Sequence, residues 1–318
     1  DYPMLTLPTR RILAACSTAL LIAGCATAPE PPASTTTQQT NTAPAPVQRQ
    51  GCLGEQEIAQ WIAAYTAKEQ LTDPPENLSD ADAACTRAAF QQKLGEIHGP
   101  LAGYKVTLTN PKVQKTFNTN QPIWGAWYQD MLLPNRSKVP ANYGTWPVLD
   151  AGLLVRVKSS AINQATTPEQ VLSHIDKITP FIELADVLVK TPSKLTPQGM
   201  SAINAGARMG VMGTALNVPT DARQQKRLLR ELSNMVVRVQ TGKGKMLSRG
   251  KGSDVAGHPL QTVIWLSGAL QEQGQALQEG QWVSLGSYSS MLRPQAGQTI
   301  TAVYPGLTGA RPVEVSFQ

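Results

Sequence analysis

The chain has 318 residues, 41% hydrophobic and 16% charged, which is too apolar for disorder throughout and too long to depend on disulfides for a core. Its formal charge is only +6, from 28 Lys and Arg against 22 Asp and Glu, and aromatics make up 5%, which argues against a nucleic-acid partner. Three His and four Cys, with no C-x-x-C or H-x-x-x-H spacing, exclude the usual zinc motifs.

Residues 1–24 read as an export signal. Arg10 and Arg11 precede an apolar run from Ile12 to Ile22, followed by Ala23, Gly24 and Cys25. The run is about half of the ~20 residues a membrane-spanning helix needs. Leu21-Ile22-Ala23-Gly24-Cys25 resembles the bacterial lipobox, in which the cysteine is lipidated and heads the mature protein. An ordinary signal peptide is the alternative. The resemblance implies a lipid anchor at Cys25 on the periplasmic side of the envelope. Ala26 rather than Asp after the cysteine points to the outer membrane of a Gram-negative cell. Residues 25–50, rich in Pro, Thr, Ala and Gln, cannot bury enough apolar surface to offset their ordering entropy and read as a tether. With Cys16 in the signal and Cys25 lipidated, Cys52 and Cys85 remain. In an oxidising compartment that pair is most simply a disulfide, two separate buried thiols being the alternative.

The region 51–100 reads as helical. Ile58, Trp61, Ile62 and Tyr65 recur at i, i+3, i+4 and i+7 over Glu55–Ala67. Pro74 and Pro75 mark a loop, and Ser79 with Asp82 three residues on can cap a second helix, which runs to about Ile97 before Gly99-Pro100 stops it. A Cys52–Cys85 bridge would then staple two helices. From 101 to 318 the pattern changes to short runs rich in Val, Ile, Leu and Thr, bounded by Gly, Pro and Asn. Strands are expected at Tyr104–Leu108, Val148–Val157, Ile182–Val189, Ser233–Gln240, Gln281–Leu285 and Val313–Phe317, with helices at Pro168–Ile175 and Leu260–Glu279. The class is α+β: N-terminal helices followed by one mainly β domain.

Motifs within this region line up with one family. Gly103–Thr109 (GYKVTLT) is similar to a GYK-[IV]-x-LT segment, Gln121–Gly125 with Gln129–Leu132 to QPxxG…DDML, and Pro180–Asp186 to PAIEIxD. Asn204-Ala205 with Gly213, Gly257–Leu260 with Trp265-Leu266, and Leu277–Gly280 with Leu285–Ser287 resemble NA…G, GNPL…WL and LxxGD…TGS. Leu78–Ala84 resembles LTxADAY. Seven such segments in order, across roughly 57–318, resemble the 2-keto-4-pentenoate hydratases of the fumarylacetoacetate hydrolase superfamily. The resemblance implies a mixed β-roll or sandwich, a homo-oligomer, and a small 2-oxo acid or related anionic molecule as ligand. It also implies Mg²⁺ or Mn²⁺ held by three carboxylates, because a hard cation chelates adjacent substrate oxygens and stabilises an enolate.

By that resemblance Asp150 and Glu183 are the metal ligands, Lys105 and Asp130 the catalytic residues, and Asn204 and Ser287 the substrate contacts. Two ligands normally come from an E-x-E strand, where period-two geometry puts both carboxylates on one face. Here that stretch is Asp150-Ala151-Gly152, so one ligand is absent; an extra water, Asp186 or Asp130 would have to stand in. Gly206-Ala207 replaces a hydroxyl-bearing pair, and Leu285 replaces the threonine of TGS. Losses fall at the chemistry while scaffold motifs persist, as in a pseudoenzyme or a site retuned to another ligand. A hydratase-like protein is therefore expected, with a non-catalytic binding or structural role as the alternative. His258 stands where the family has Asn before Pro-Leu and reads as a turn hydrogen-bonder. The basic stretch Thr241–Lys245 with Arg249–Gly252 lacks phosphate-loop spacing and reads as a solvated hairpin turn that can touch anionic lipid headgroups.

Overall fold

The computed structural model describes residues 51–318, which lie within one compact unit. The expected signal, the tether and Cys25 lie outside the described residues. Helix α1 (Glu55–Ala67) starts where Glu57 Oε2 accepts from the Gly54 N–H (2.8 Å), and it ends on Lys68 in a left-handed conformation (φ 58°). Of the stripe expected from spacing it buries Ile58, Trp61 and Tyr65, while Ile62 is half-buried. Helix α2 (Asp80–His98) is capped by Ser79, whose oxygen accepts from the Asp82 N–H at 3.1 Å. Cys52 and Cys85 are disulfide-bonded, with Cα atoms 5.9 Å apart. Cys52 precedes α1, so the bridge ties the leading segment to α2 and does not join two helices as expected.

The chain continues through β1 (Leu101–Thr107), α3 (Pro111–Thr116), β2 (Ile123–Tyr128), β3 (Leu132–Pro134), β4 (Ser137–Val139) and β5 (Pro147–Val157). Next come α4 (Pro168–Ser173), β6 (Ile175–Asp186), α5 (Pro197–Ala202), β7 (Met209–Met212), β8 (Leu216–Asn217) and α6 (Ala222–Asn234). The last elements are β9 (Val236–Thr241), β10 (Met246–Lys251), α7 (Gln261–Gln271), β11 (Trp282–Ser284), β12 (Thr299–Val303) and β13 (Val313–Phe317). The expected helix at 168–175 is shorter because β6 begins at Ile175, and the one at 260–279 stops at Gln271 before Gly274 (φ 69°). The expected strand from Ser233 starts at Val236, because residues 222–234 form α6, a polar helix capped by Asp221 with Leu232 buried.

Two mixed sheets pack face to face. The larger runs β2-β1-β11-β5-β6-β7-β3, with β8 also on β6, and the smaller runs β10-β9-β12-β13-β4. Odd residues of β5 (Leu149, Ala151, Leu153, Val155) and even residues of β6 (Ile178, Ile182, Leu184) fill the core against Val237, Val239, Ile300 and Val315 of the smaller sheet. The opposite face, carrying Leu154 and Phe181, packs under α1 and α2 with Trp61, Phe90 and Trp127. β5 and β6 are thus buried on both sides, which is why their sequences read as continuous apolar runs.

Candidate functional site

Three charged side chains from three strands meet on the helix-side face of the larger sheet. Asp150 and Glu183 are directly opposite one another in the β5–β6 register, so both carboxylates stand on one face. Lys105 projects from β1, on which its cross-strand partners are Gly125 and Ser284. Its ammonium is ion-paired with Glu183. All three are almost wholly enclosed, at 3% exposure for Lys105 and 6% for each carboxylate. Burial, and then the Glu183 charge facing it, push the Asp150 carboxyl up to about 8, while Ser287 and Lys105 pull the other way. Ser287 lies beside Asp150 and donates its hydroxyl proton to the Ser289 carbonyl at 2.9 Å.

Two residues further along the same strands, Thr107, Val148 and Ala185 line a cleft of about 540 Å³, with Ser287, Phe117 and Met200 among its other walls. Period-two alternation therefore puts Lys105, Asp150 and Glu183 on the same sheet face as these lining residues, one step along the strands beside this mostly apolar cleft. Thr107 and Val148 were not among the residues expected from the sequence; period-two alternation from Lys105 and Asp150 is the signal that could have found them.

The other sequence candidates are elsewhere. Asn204 is fully buried, and its side-chain oxygen accepts from the Ala126 N–H (2.6 Å) and from Gln91 Nε2 (2.9 Å). Its amide donates to the Ala126 carbonyl at 3.1 Å, so all of these bonds tie the α5 end to β2 and α2. Asp130 is exposed in a one-turn 3-10 segment (Gln129–Met131), five residues beyond the strand partner of Lys105, roughly 15 Å along the chain. Asp186 faces away from Glu183 and accepts from the N–H groups of Thr145 (3.0 Å) and Trp146 (2.7 Å), so it is committed to the loop before β5. His258 makes a turn: its Nδ1 accepts from the Leu260 N–H at 3.1 Å while Nε2 lies 3.1 Å from the Leu229 carbonyl oxygen.

Gly152 faces Phe181 across the β5–β6 register. A Cβ there would lie 3.0 Å from the Gly286 carbonyl oxygen and 3.9 Å from Phe181 Cδ1. The Phe181 ring stands edge-on to Trp127 (5.8 Å between centroids) and covers Gly210, whose missing side chain makes room for it. Phe181 therefore places a large ring directly opposite Gly152, the strand position that carries no carboxylate. Tyr304 reinforces the pair by donating to the Gly152 carbonyl (2.7 Å) while accepting from the Phe181 N–H (3.2 Å). The donor set is two carboxylates, one favoured in its neutral form and one paired with lysine, beside an aromatic ring. That set does not fit a three-carboxylate dication site. Among the described residues only Cys52, Asp82 and Cys85 cluster as metal-ligand types, and that pair of cysteines is oxidised.

The α+β class expected from the sequence, N-terminal helices followed by a sheet-rich domain, is the fold observed, and it is shared with solved enzyme structures. Calcium- and acetate-bound 4-oxalocrotonate decarboxylase from Pseudomonas putida G7 superposes with a TM-score of 0.69 at 21% identity, covering 83% of this chain and 98% of that one. The form of that enzyme complexed with magnesium and adipate matches equally. In sequence the chain is similar to 2-keto-4-pentenoate hydratase of Paraburkholderia phymatum, 26% identical over 212 residues, or 66% of this chain and 77% of that protein. It is also similar to 4-oxalocrotonate decarboxylase of Pseudomonas putida, 23% identical over 246 residues, or 77% and 89% of the two. No family model matches the chain.

Proposed function

We propose that the chain is a hydratase-like protein that takes a small 2-oxo acid, or a related carboxylate, into the cleft beside Lys105, Asp150 and Glu183. The observation that carries this reading is the meeting of these three residues on one sheet face, directly beside a mostly apolar cleft lined by their strand neighbours Thr107, Val148 and Ala185. The relatives support the ligand class, being named as hydratases and a decarboxylase of oxo acids, with acetate or adipate in the superposed structures.

In this reading Lys105 swings from Glu183 to the ligand carboxylate, a point charge on a flexible arm. Asp150, neutral at pH 7, donates a proton to the developing enolate oxygen or carbon, and Glu183, freed from lysine, accepts one. Thr107, Val148 and Ala185 give the ligand's hydrocarbon part a mostly apolar wall beside the pair, and the open cleft admits the water that hydration consumes. The divalent ions of the superposed decarboxylase have no matching three-carboxylate set here, so no step is assigned to a metal. Gly152 and Phe181 favour a second reading, ligand binding without turnover.

Calorimetry with pyruvate and 2-keto-4-pentenoate, with and without Mn²⁺, separates these. Saturable binding that is weakened at least tenfold in Lys105→Gln supports the site. Consumption of 2-keto-4-pentenoate supports the enzyme, and binding without consumption supports the binder. Absence of binding to either acid overturns both.

The envelope placement belongs to the same proposal: export, lipid attachment at Cys25 and residence on the periplasmic side of the outer membrane. The lipobox string and the Cys52–Cys85 disulfide support it. Among the described residues no helix is long and apolar enough to cross a membrane. Palmitate labelling of the full chain, abolished by Cys25→Ser, is the expected result, and labelling unchanged in that variant overturns it. A homo-oligomer is likewise proposed and is read by sedimentation.

A further inference from the structure

We propose that the cleft between α2, α5 and α7 is a second ligand site, which takes a small carboxylate with a flat apolar body. Its centre is Arg87, buried to 4% exposure on α2. The guanidinium lies 3.7 Å from the centre of the Trp124 ring. Nη1 donates to Ser201 Oγ and Nη2 to Gln273 Oε1 (3.0 Å), which uses two of its five N–H donors.

Among the described residues no carboxylate lies within ion-pair distance of Arg87. Burial alone pulls its pKa down to about 10, which still leaves it charged at pH 7. A buried charge without a counter-charge is costly, so a ligand that supplies one is favoured at this position.

The surroundings are built as a recognition site. Arg87, Trp124, Gln121, Ile264, Trp265 and Gln273 line a cleft of about 610 Å³. Trp265 Nε1 donates to Gln121 Oε1 at 3.1 Å, which fixes the indole as one wall. Asp80 and Glu272 stand at the exposed rim without pairing to Arg87. A carboxylate meets the free guanidinium donors in the fork geometry that arginine favours, and a flat apolar body lies against indole. No residue lining this cleft also lines the one beside Lys105, so the two sites are separate.

The test is titration of the full chain with benzoate, read by tryptophan fluorescence and calorimetry. Expected are saturable binding, a loss of at least tenfold in Arg87→Met, a smaller loss in Gln273→Ala, and little change in Val148→Phe, which fills the Lys105 cleft. Gln273→Ala removes one exposed anchor and keeps the test valid if Arg87→Met does not fold. Inorganic phosphate, an anion without an apolar body, is expected to compete poorly. Phosphate competing as strongly as benzoate overturns the proposed ligand class. So do benzoate binding lost in Val148→Phe, binding unchanged in both cleft variants, and self-association that closes the cleft and excludes benzoate.

Discussion

At the scale of single residues, the buried ion pair decides how the site responds to mutation and to pH. Lys105→Met leaves Glu183 facing Asp150 inside the protein with no cation, and breaking a buried pair from one side costs about 3–5 kcal/mol. Urea unfolding at pH 7 should show a loss of that order, with part of it recovered in Lys105→Met/Glu183→Gln. A loss below 1 kcal/mol would mean that water reaches the pair. Asp150 supplies the pH term. Its folded pKa is raised to about 8, against ~3.9 in an unfolded chain, so between those values the folded state holds a proton that the unfolded state has released. Stability attributable to Asp150 is therefore greatest below about pH 4 and declines as pH rises toward about 8. Asp150→Asn should flatten that decline in a series of unfolding curves, and an unchanged slope would refute the assignment to Asp150.

At the scale of elements, the disulfide and the strand registers show how much a sequence discloses. The bridge closes a loop spanning 33 positions, which the chain-entropy model values at about 3–4 kcal/mol. Cys52→Ser/Cys85→Ser should lower Tm, and the lost stability should fall short of that figure. The reason is that Cys52 holds only the segment before α1, where the Leu53 N–H already bonds Thr86 Oγ1 at 3.1 Å. A loss above the full loop value would mean that α1 itself depends on the bridge. Helix α1 was legible because Ile58, Trp61 and Tyr65 keep helical spacing. Helix α6 was not among the expected elements, although Leu228, Leu229 and Leu232 set a helical apolar stripe among its Arg, Gln and Lys residues and pack on the core. Strand β2, with Trp124 and Trp127, was concealed within a motif whose resemblance said nothing of secondary structure. Among the candidate residues, Lys105, Asp150 and Glu183 were named from motif position, and these three side chains meet. The separation of Asp130 and the structural commitment of Asn204 depend on where the chain turns after β2 and α5, which no local pattern encodes.

For the molecule as a whole, the question is whether an enclosed face of the larger sheet keeps or has lost its capacity for a dication. The answer lies in the coupled pair Gly152 and Phe181, held in register by β5 and β6 and bonded through the Tyr304 hydroxyl. A carboxylate at position 152 alone must displace the Phe181 ring and crowd the Gly286 carbonyl, 3.0 Å from its Cβ, in a core that tolerates little extra volume. Gly152→Glu should therefore destabilise the fold by about 1–3 kcal/mol without improving metal affinity. Phe181→Ala alone should also destabilise, by about 3–5 kcal/mol, because it leaves a cavity against Trp127 and Gly210. Combined, the two exchange a ring for a carboxylate across one register pair, so their costs should be less than additive. A third carboxylate then joins Asp150 and Glu183 on one face, where Mn²⁺ would displace the Asp150 proton and the Lys105 ammonium. Calorimetry should show Mn²⁺ binding at least tenfold tighter in Gly152→Glu/Phe181→Ala than in the parent chain, with proton release on binding. Additive destabilisation with no gain in Mn²⁺ affinity would mean that the loss of this site extends beyond the Gly152–Phe181 pair, to the position of Lys105 itself.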